Sequence, residues 1–236
     1  MVATVDFHTH ILPGIDDGCA SLEESIALLQ MQAQQGIRHV VATPHFYAHH
    51  DHLDAFLERR EAAEQLLRAE MAKYPDLPQL HVGTEVHYFA EMSQSEHLHR
   101  FAISGTRHIL IEMPLCPWTE QMYRQLEQIY THQGLTPIVA HVDRYIRPLQ
   151  THQIPQKLGK LPVLVQANAE FFLNKQTASM AMRLLGNGQI HLLGSDCHNA
   201  VDRKPNLQSA CAAIEKRLGQ KAAAIAQWEQ AVLFGK

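Results

Sequence analysis

The sequence predicts an α/β fold, a (β/α) barrel of seven parallel strands, with an open doubly wound sheet as the alternative. Three observations carry this. Seven short runs rich in Val, Ile and Leu alternate with longer segments of helical periodicity. The runs are apolar almost throughout, the pattern of strands covered on both faces in a parallel sheet. The 236 residues contain no linker, repeat or low-complexity tract, so one barrel-sized domain, 1–236, is expected.

The elements follow in order. Strand Ala3–Phe7 precedes helix Ser21–Gln35, where Ser21 and Glu24 make a capping box and Gly36 a stop. After strand Arg38–Ala42, the segment Leu53–Lys73 carries Leu53, Phe56, Leu57, Leu66, Leu67 and Met71 on roughly one face and breaks before Pro75. Strands Gln79–Thr84 and His108–Glu112 lead to helix Thr119–Gln133 and strand Pro137–His141. Strand Pro162–Ala167, helix Thr177–Leu185 and strand Gln189–Gly194 come next, then helices Leu207–Leu218 and Lys221–Phe234.

Composition excludes several classes. Twenty Lys and Arg against 24 Asp and Glu give a net charge of −4, which disfavours a nucleic-acid binder. A hydrophobic content of 46% excludes a disordered chain. The four cysteines are widely spaced, with neither a zinc-knuckle nor a disulfide pattern, and suit a reducing compartment. The first residues lack a signal-peptide pattern, and the apolar stretches fall short of the roughly 18 residues of a membrane span. A cytoplasmic protein without membrane insertion is expected.

Histidine is the outlier, at 17 residues. Such a count yields about one H-x-H by chance, so His8-Thr9-His10 means little by itself. The two further pairs, His50/His52 and His97/His99, lie in polar surroundings and are expected on the surface. Position distinguishes the first pair. His8 and His10 follow the first strand, His45 the second and Glu85 the third. Glu112 and His141 close the fourth and fifth, and Asp196 and His198 follow the seventh. The sixth alone ends in amides, Gln166-Ala167-Asn168. In a barrel those ends share one face, where active sites lie. A satisfied core histidine or a capping acid would account for any one of these residues. Burying the whole set without a metal would be costly.

With these motifs in place, the chain resembles the polymerase-and-histidinol-phosphatase (PHP) superfamily, and within it the bacterial capsular-polysaccharide tyrosine phosphatases. The resemblance rests on Asp6–Gly18 (D-x-H-x-H-I-L-P-G-I-D-D-G), Ala42–His45 (A-T-P-H) and Gly83–Glu85 (G-x-E). It continues through His108–Pro114, Ala140–Tyr145 and Ser195–Asn199, with Arg203 at the family spacing. Val142 and Asp143 replace the family's Pro and Glu, which leaves the shape of that loop open.

The resemblance implies a distorted seven-stranded TIM-like barrel of PHP type holding three divalent ions, Mn foremost, with Fe or Zn as alternatives. His8, His10, Glu85 and Asp196 would hold the first, Glu85, Glu112 and His141 the second, and Asp17, His45 and His198 the third. Arg144 and Arg203 would grip the phosphate. The implied activity is hydrolysis of phosphotyrosine by a metal-activated hydroxide, on a tyrosine kinase of polysaccharide biosynthesis and export; the alternative is a small-molecule phosphomonoesterase such as a histidinol-phosphatase.

The residue chemistry agrees independently. The set is all nitrogen and oxygen, which suits Mn, Fe or Zn without a thiolate site. Four carboxylates against three divalent ions leave a net positive charge matched to a phosphate dianion. A non-catalytic metal-binding partner would be expected to have lost a ligand or an arginine, and none is lost. Other residues receive lesser roles. Asp16 is expected to hydrogen-bond its loop and Asp6 to orient an imidazole. Phe46 and Tyr47 would either wall a pocket or pack in the core, and Arg59-Arg60-Glu61 would be a charged helix face. Cys197 has Arg203 six residues on, but the intervening residues lack the glycines of a phosphate-cradling loop. Strand alternation would point it away from Asp196 and His198.

Overall fold

A computed structural model describes residues 3–146 and 153–235. Its sheet is parallel in every described pairing, in two hydrogen-bonded groups. Strands β1 (Val5–Thr9), β2 (His39–Ala42) and β4 (Gln79–Val82) form one, in the order β1-β2-β4. The other runs β3 (His45–Phe46), β5 (Glu85–His87), β6 (His108–Glu112), β7 (Thr136–Val139), β8 (Leu164–Asn168) and β9 (Leu192–Gly194).

The expected strands Arg38–Ala42 and Gln79–Thr84 are thus each followed by a further short strand that the sequence did not mark, β3 and β5. Pro44 has no N–H to give to a ladder, and the chain steps at Thr43-Pro44 from β2 into β3. The neighbouring run steps in parallel at Gly83-Thr84, and Gly83 N→Ala42 O (2.8 Å) and Glu85 N→Pro44 O (3.0 Å) carry the pairing across. Arg60 fastens this step through Thr84 Oγ1 (2.6 Å) and the Gly83 carbonyl (3.4 Å), so it is half-buried rather than part of a free charged face.

The sheet curls until β9 lies against β1. Asp196 N donates to His8 O (2.8 Å), and His10 N to Cys197 O (2.9 Å). Gly194 is required at this seam, since a Cβ there would lie 2.5 Å from His8 Cβ.

Among the described residues the α-helices are α1 (Leu22–Gln34), α2 (Leu53–Met71), α3 (Glu120–Gln133), α4 (Asp143–Ile146), α5 (Gln153–Leu158), α6 (Ala169–Leu173), α7 (Ala178–Gly186), α8 (Leu207–Leu218) and α9 (Ala223–Phe234), with short 3-10 turns at Met92–Gln94, Leu98–Phe101 and Gly219–Ala222. Ser21 caps α1, accepting from Glu24 N at 3.3 Å, while Glu24 returns to Ala20 N at 3.0 Å. Gly134, at φ +63°, ends α3. The short α4, α5 and α6 have too few turns for a sequence period. Among the described residues no helix is long and apolar enough to cross a membrane.

Two apolar clusters divide the core. The larger packs the long helices against the sheet. The smaller joins Val5, Phe7, Val41, Leu110, Ile138, Leu164 and Leu192 with Val232 of α9. Residues from strands all round the curl meet only on its concave side, so α9 closes the end where the strands begin. Glu229 of α9 fixes that contact, accepting from Thr4 N (3.0 Å) and Val5 N (3.3 Å). Farther along the strands, the residues on this same side become polar: Leu110 gives way to Glu112, and Leu164 to Gln166 and Asn168.

Candidate metal centre

The first strand delivers its histidines through an irregularity. Between Asp6 and Thr9 the register of β1 against β2 slips, so Phe7 and His8 together face Val41. Phe7 joins the concave cluster, and His8 reaches Glu85 from within the strand, not after it as expected. The following loop folds back on His10: Cys19 N donates to His10 O (3.0 Å), so tightly that a Cβ on Gly18 would lie 2.2 Å from that oxygen.

Glu85 stands at the centre, 1% exposed. His141 Nε2 lies 2.8 Å from it, His45 Nδ1 3.0 Å, His8 Nε2 3.1 Å and His10 Nε2 3.4 Å. Glu112 Oε1 is 3.5 Å from His141 Nε2. Asp17, two-thirds exposed at 66%, stands 3.4 Å from both His45 Nε2 and His198 Nε2. Asp196 Oδ1 lies 3.5 Å from His10 and 3.6 Å from His8. All nine residues expected as ligands therefore meet in one cluster.

Three subsets bring one ligand atom each close enough for a shared ion: His10, Asp17, His45 and His198; His8, His10 and Glu85; and His45, Glu85 and Glu112. The grouping differs from the expected partition. His10 also faces the outer subset, and His45 spans two, one nitrogen toward Glu85 and the other toward Asp17.

The donor chemistry fits cations. His8 Nδ1 is 3.3 Å from Gln166 Oε1, His10 Nδ1 2.8 Å from Asp16 Oδ2, and His198 Nδ1 3.0 Å from the Asp196 carbonyl. Each Nδ1–H is thereby used, which leaves each Nε2 facing the shared space. His198 Nε2 is buried with no hydrogen-bond partner among the described residues, and His8 Nε2 and His10 Nε2 are 3.1 Å apart. Two such nitrogens need a positive charge beside them, either a proton or a metal.

Electrostatics agree. Burial opposes charge on Glu85 and Asp196, yet the surrounding histidines, His8 first, hold both well below the ordinary carboxylate range. Burial likewise opposes charge on His10, but Asp16, Asp196 and Glu85 raise it well above the usual imidazole value. Burial opposes charge on Asp16 as well, but the hydrogen bond and charge of His10, together with the backbone N–H groups of Gly18 and His45, pull it down to about 2. It also accepts from the backbone of Gly18 (3.0 Å) and His45 (3.1 Å), so it ties its loop, as expected, and orients His10 as well.

Asp6 differs from expectation. Its Oδ1 accepts from Ser195 N (2.8 Å) and His8 N (3.3 Å), so it braces the β1–β9 seam and, among the described residues, meets no imidazole by hydrogen bond. Burial pushes its carboxyl up to about 6.

Both arginines point at Asp196. Arg144 Nη2 makes a short hydrogen bond to Oδ2, and Arg203 Nη2 lies 2.9 Å from Oδ1. They are 35% and 39% exposed and so open to a ligand. The loop left open by Val142 and Asp143 is firmly closed: Val142 N donates to Gln166 O (3.0 Å), and Asp143 accepts from Asn168 N (3.0 Å). Asn199 Oδ1 collects the N–H groups of Val201, Asp202 and Arg203, which places Arg203.

Sequence reasoning missed the amides of β8. Gln166 Oε1 accepts from His141 N (2.6 Å) and faces His8, while Asn168 Nδ2 donates to Asp196 (3.0 Å). Their position at a strand end beside six ligand-bearing ends was the available signal. His87, left without a role, lies 3.1 Å from Glu112 Oε2. His141 and Asp196 adopt positive φ, +28° and +54°, backbone strain located where the site residues converge. The positive φ breaks strand alternation at Asp196. Cys197 nevertheless turns into the apolar core against Gln32, away from the arginines, and burial holds its thiol far above its ordinary value. The pairs at His50/His52 and His97/His99 are exposed.

A curled parallel sheet gathering imidazoles and carboxylates at its strand C-termini defines an α/β protein with a candidate multinuclear metal centre. Comparison with known proteins narrows the class. Residues 4–232 match the family model for capsular polysaccharide synthesis, CpsB/CapC, and the chain belongs to that family. The tyrosine-protein phosphatase YwqE of Bacillus subtilis is 30% identical over 92% of this chain and 86% of its own. The tyrosine-protein phosphatase CpsB of Streptococcus pneumoniae is 29% identical, covering 93% of each. A solved structure, from a study of YwqE and CpsB as unique metal-dependent tyrosine phosphatases, superposes with a TM-score of 0.85 at 26% identity, covering 98% of this chain and 95% of that one.

Proposed function

We propose that this chain is a metal-dependent protein tyrosine phosphatase, a single metallophosphatase domain over 1–236. The observation that carries it is the convergence of four imidazoles on the Glu85 carboxylate, with two half-exposed arginines at the rim. The sheet reads as a distorted seven-stranded barrel of PHP type when β2 with β3, and β4 with β5, each count as one stave. Three divalent ions are proposed, Mn foremost. His8, His10, Glu85 and Asp196 would hold one, Glu85, Glu112 and His141 a second, and Asp17, His45 and His198 a third.

When bound, the ions supply an acidified water and polarise the phosphoryl oxygens. The chain's own residues do the rest. Asp16 and Gln166 keep His10 and His8 in the tautomer that faces the centre. Arg144 and Arg203 now share Asp196; a ligand that relieves that carboxylate frees their N–H groups for the non-bridging phosphate oxygens. A phenolate leaving group, of pKa about 10, needs less protonation than a serine alkoxide.

The proposed substrate is a phosphotyrosine protein in the cytoplasm, a tyrosine kinase of polysaccharide export. Turnover of a phosphotyrosine peptide beside a phosphoserine peptide and histidinol phosphate, with Mn-loaded protein, tests the reading. Preference for phosphotyrosine is expected, and preference for histidinol phosphate would overturn it.

A further inference from the structure

Phe46 and Tyr47 leave β3 in opposite directions. Phe46 packs in the core, its ring 4.5 Å from that of Phe101 and 5.1 Å from that of Phe56. Tyr47 instead stands half-buried over the metal-ligand cluster, its ring 5.4 Å from that of His45 and 5.4 Å from that of His87. His87 is fixed in turn against Glu112 Oε2 at 3.1 Å. The row His45–Tyr47–His87 therefore lines one side of the space beside Glu85 and Glu112, with successive rings tilted by 33° and 40°. The wall is held in place by its own loop: Tyr47 N donates to Asp51 Oδ2 (2.9 Å), and Tyr47 O accepts from His50 N (2.9 Å) and Asp51 N (2.8 Å).

A phosphate bound at the centre places the esterified carbon one bond beyond its bridging oxygen. For an aryl ester that carbon belongs to the ring, so the ring emerges beside a wall that begins at His45. Aromatic pairs favour offset or tilted contact at these centroid spacings. A serine ester presents only a methylene there and gains little from a flat face.

We propose that Tyr47, buttressed by His87, is the specificity-determining residue that receives the phenyl ring of the substrate. The proposal rests on the phosphatase reading above and adds the element that selects an aromatic ester.

Calorimetric titration of the metal-loaded protein with phenylphosphonate and methylphosphonate, neither of which is hydrolysed, tests the wall without turnover. Wild type should bind phenylphosphonate more tightly, and Tyr47→Phe should keep the preference. Tyr47→Leu, which keeps bulk but no ring, and Tyr47→Ala should each lose about two- to tenfold on phenylphosphonate. Their metal content and methylphosphonate affinity should stay at the wild-type level. Absence of a phenyl preference in wild type, its survival in Tyr47→Leu, or an equal loss on both ligands would each overturn the proposal. Failure of the underlying reading shows separately, as a wild-type protein that leaves phosphotyrosine peptide untouched.

Discussion

Glu229 offers a prediction whose size follows from the structure. The residue is 1% exposed on α9, and its carboxylate accepts from Thr4 N, Thr4 Oγ1 (3.2 Å) and Val5 N at the start of β1. Burial pushes its carboxyl from 4.5 up to about 7, against those hydrogen bonds, with Asp6 adding to the rise. The folded protein therefore holds a proton that the unfolded chain releases. Stability from this group is complete below the unfolded value and is lost as pH rises through the folded one. At about 1.4 kcal/mol per tenfold change in proton affinity, the loss between about pH 5.5 and about pH 8 is about 2 kcal/mol. Glu229→Gln keeps the shape and removes the titration. Urea unfolding of both proteins in chelator, at those two pH values, isolates the contribution of this carboxyl. The stability of Glu229→Gln relative to wild type should rise by about 2 kcal/mol toward the alkaline value. A difference that does not change with pH, or that falls, would refute the assignment of a buried, proton-holding carboxyl beneath β1.

Three further outcomes are expected. Arg144→Ala and Arg203→Ala should each lower kcat/KM for an aryl phosphate at least about tenfold with metal content unchanged, since a charge-assisted hydrogen bond contributes about 1.5–3 kcal/mol; wild-type kinetics in both would move the phosphate pocket elsewhere. Glu85→Ala should release at least one bound metal ion per chain by elemental analysis, because its carboxylate belongs to two of the three subsets; full metal content would contradict its central place. Cys197→Ala and thiol alkylation should leave most of the hydrolysis intact, since this thiol is buried in the core; lost turnover with the metals retained would make Cys197 a participant.

Much of this architecture was legible because it depends on local pattern. The apolar runs marked the strands, and Ser21 and Gly36 marked the two ends of the first helix, because each reflects a backbone requirement met by neighbouring residues. Eight of the nine candidate ligands were visible because polar residues recur where apolar strands stop; Asp17, in the loop after His10, came only from the family resemblance. The steps at Thr43-Pro44 and Gly83-Thr84 were not, because they depend on two strands breaking together, held by Arg60 from α2. The slip in β1 was equally hidden: only the pairing with β2 shows that Phe7 and His8 share one partner. Asp6 was misjudged because period-two alternation placed it beside His8, whereas it braces the backbone of Ser195 across the seam. Gln166 and Asn168 lack ionisable groups, so a search for ligands passes over the amides that orient them.

The central claim is that these strand ends form a metal centre that hydrolyses phosphotyrosine. The most direct measurement strips the protein of metal, verifies the loss by elemental analysis, and follows phosphate release from a phosphotyrosine peptide before and after divalent ions are restored. Activity should vanish with the metal and return with Mn²⁺ or another divalent ion. Undiminished turnover in verified metal-free protein would contradict the account.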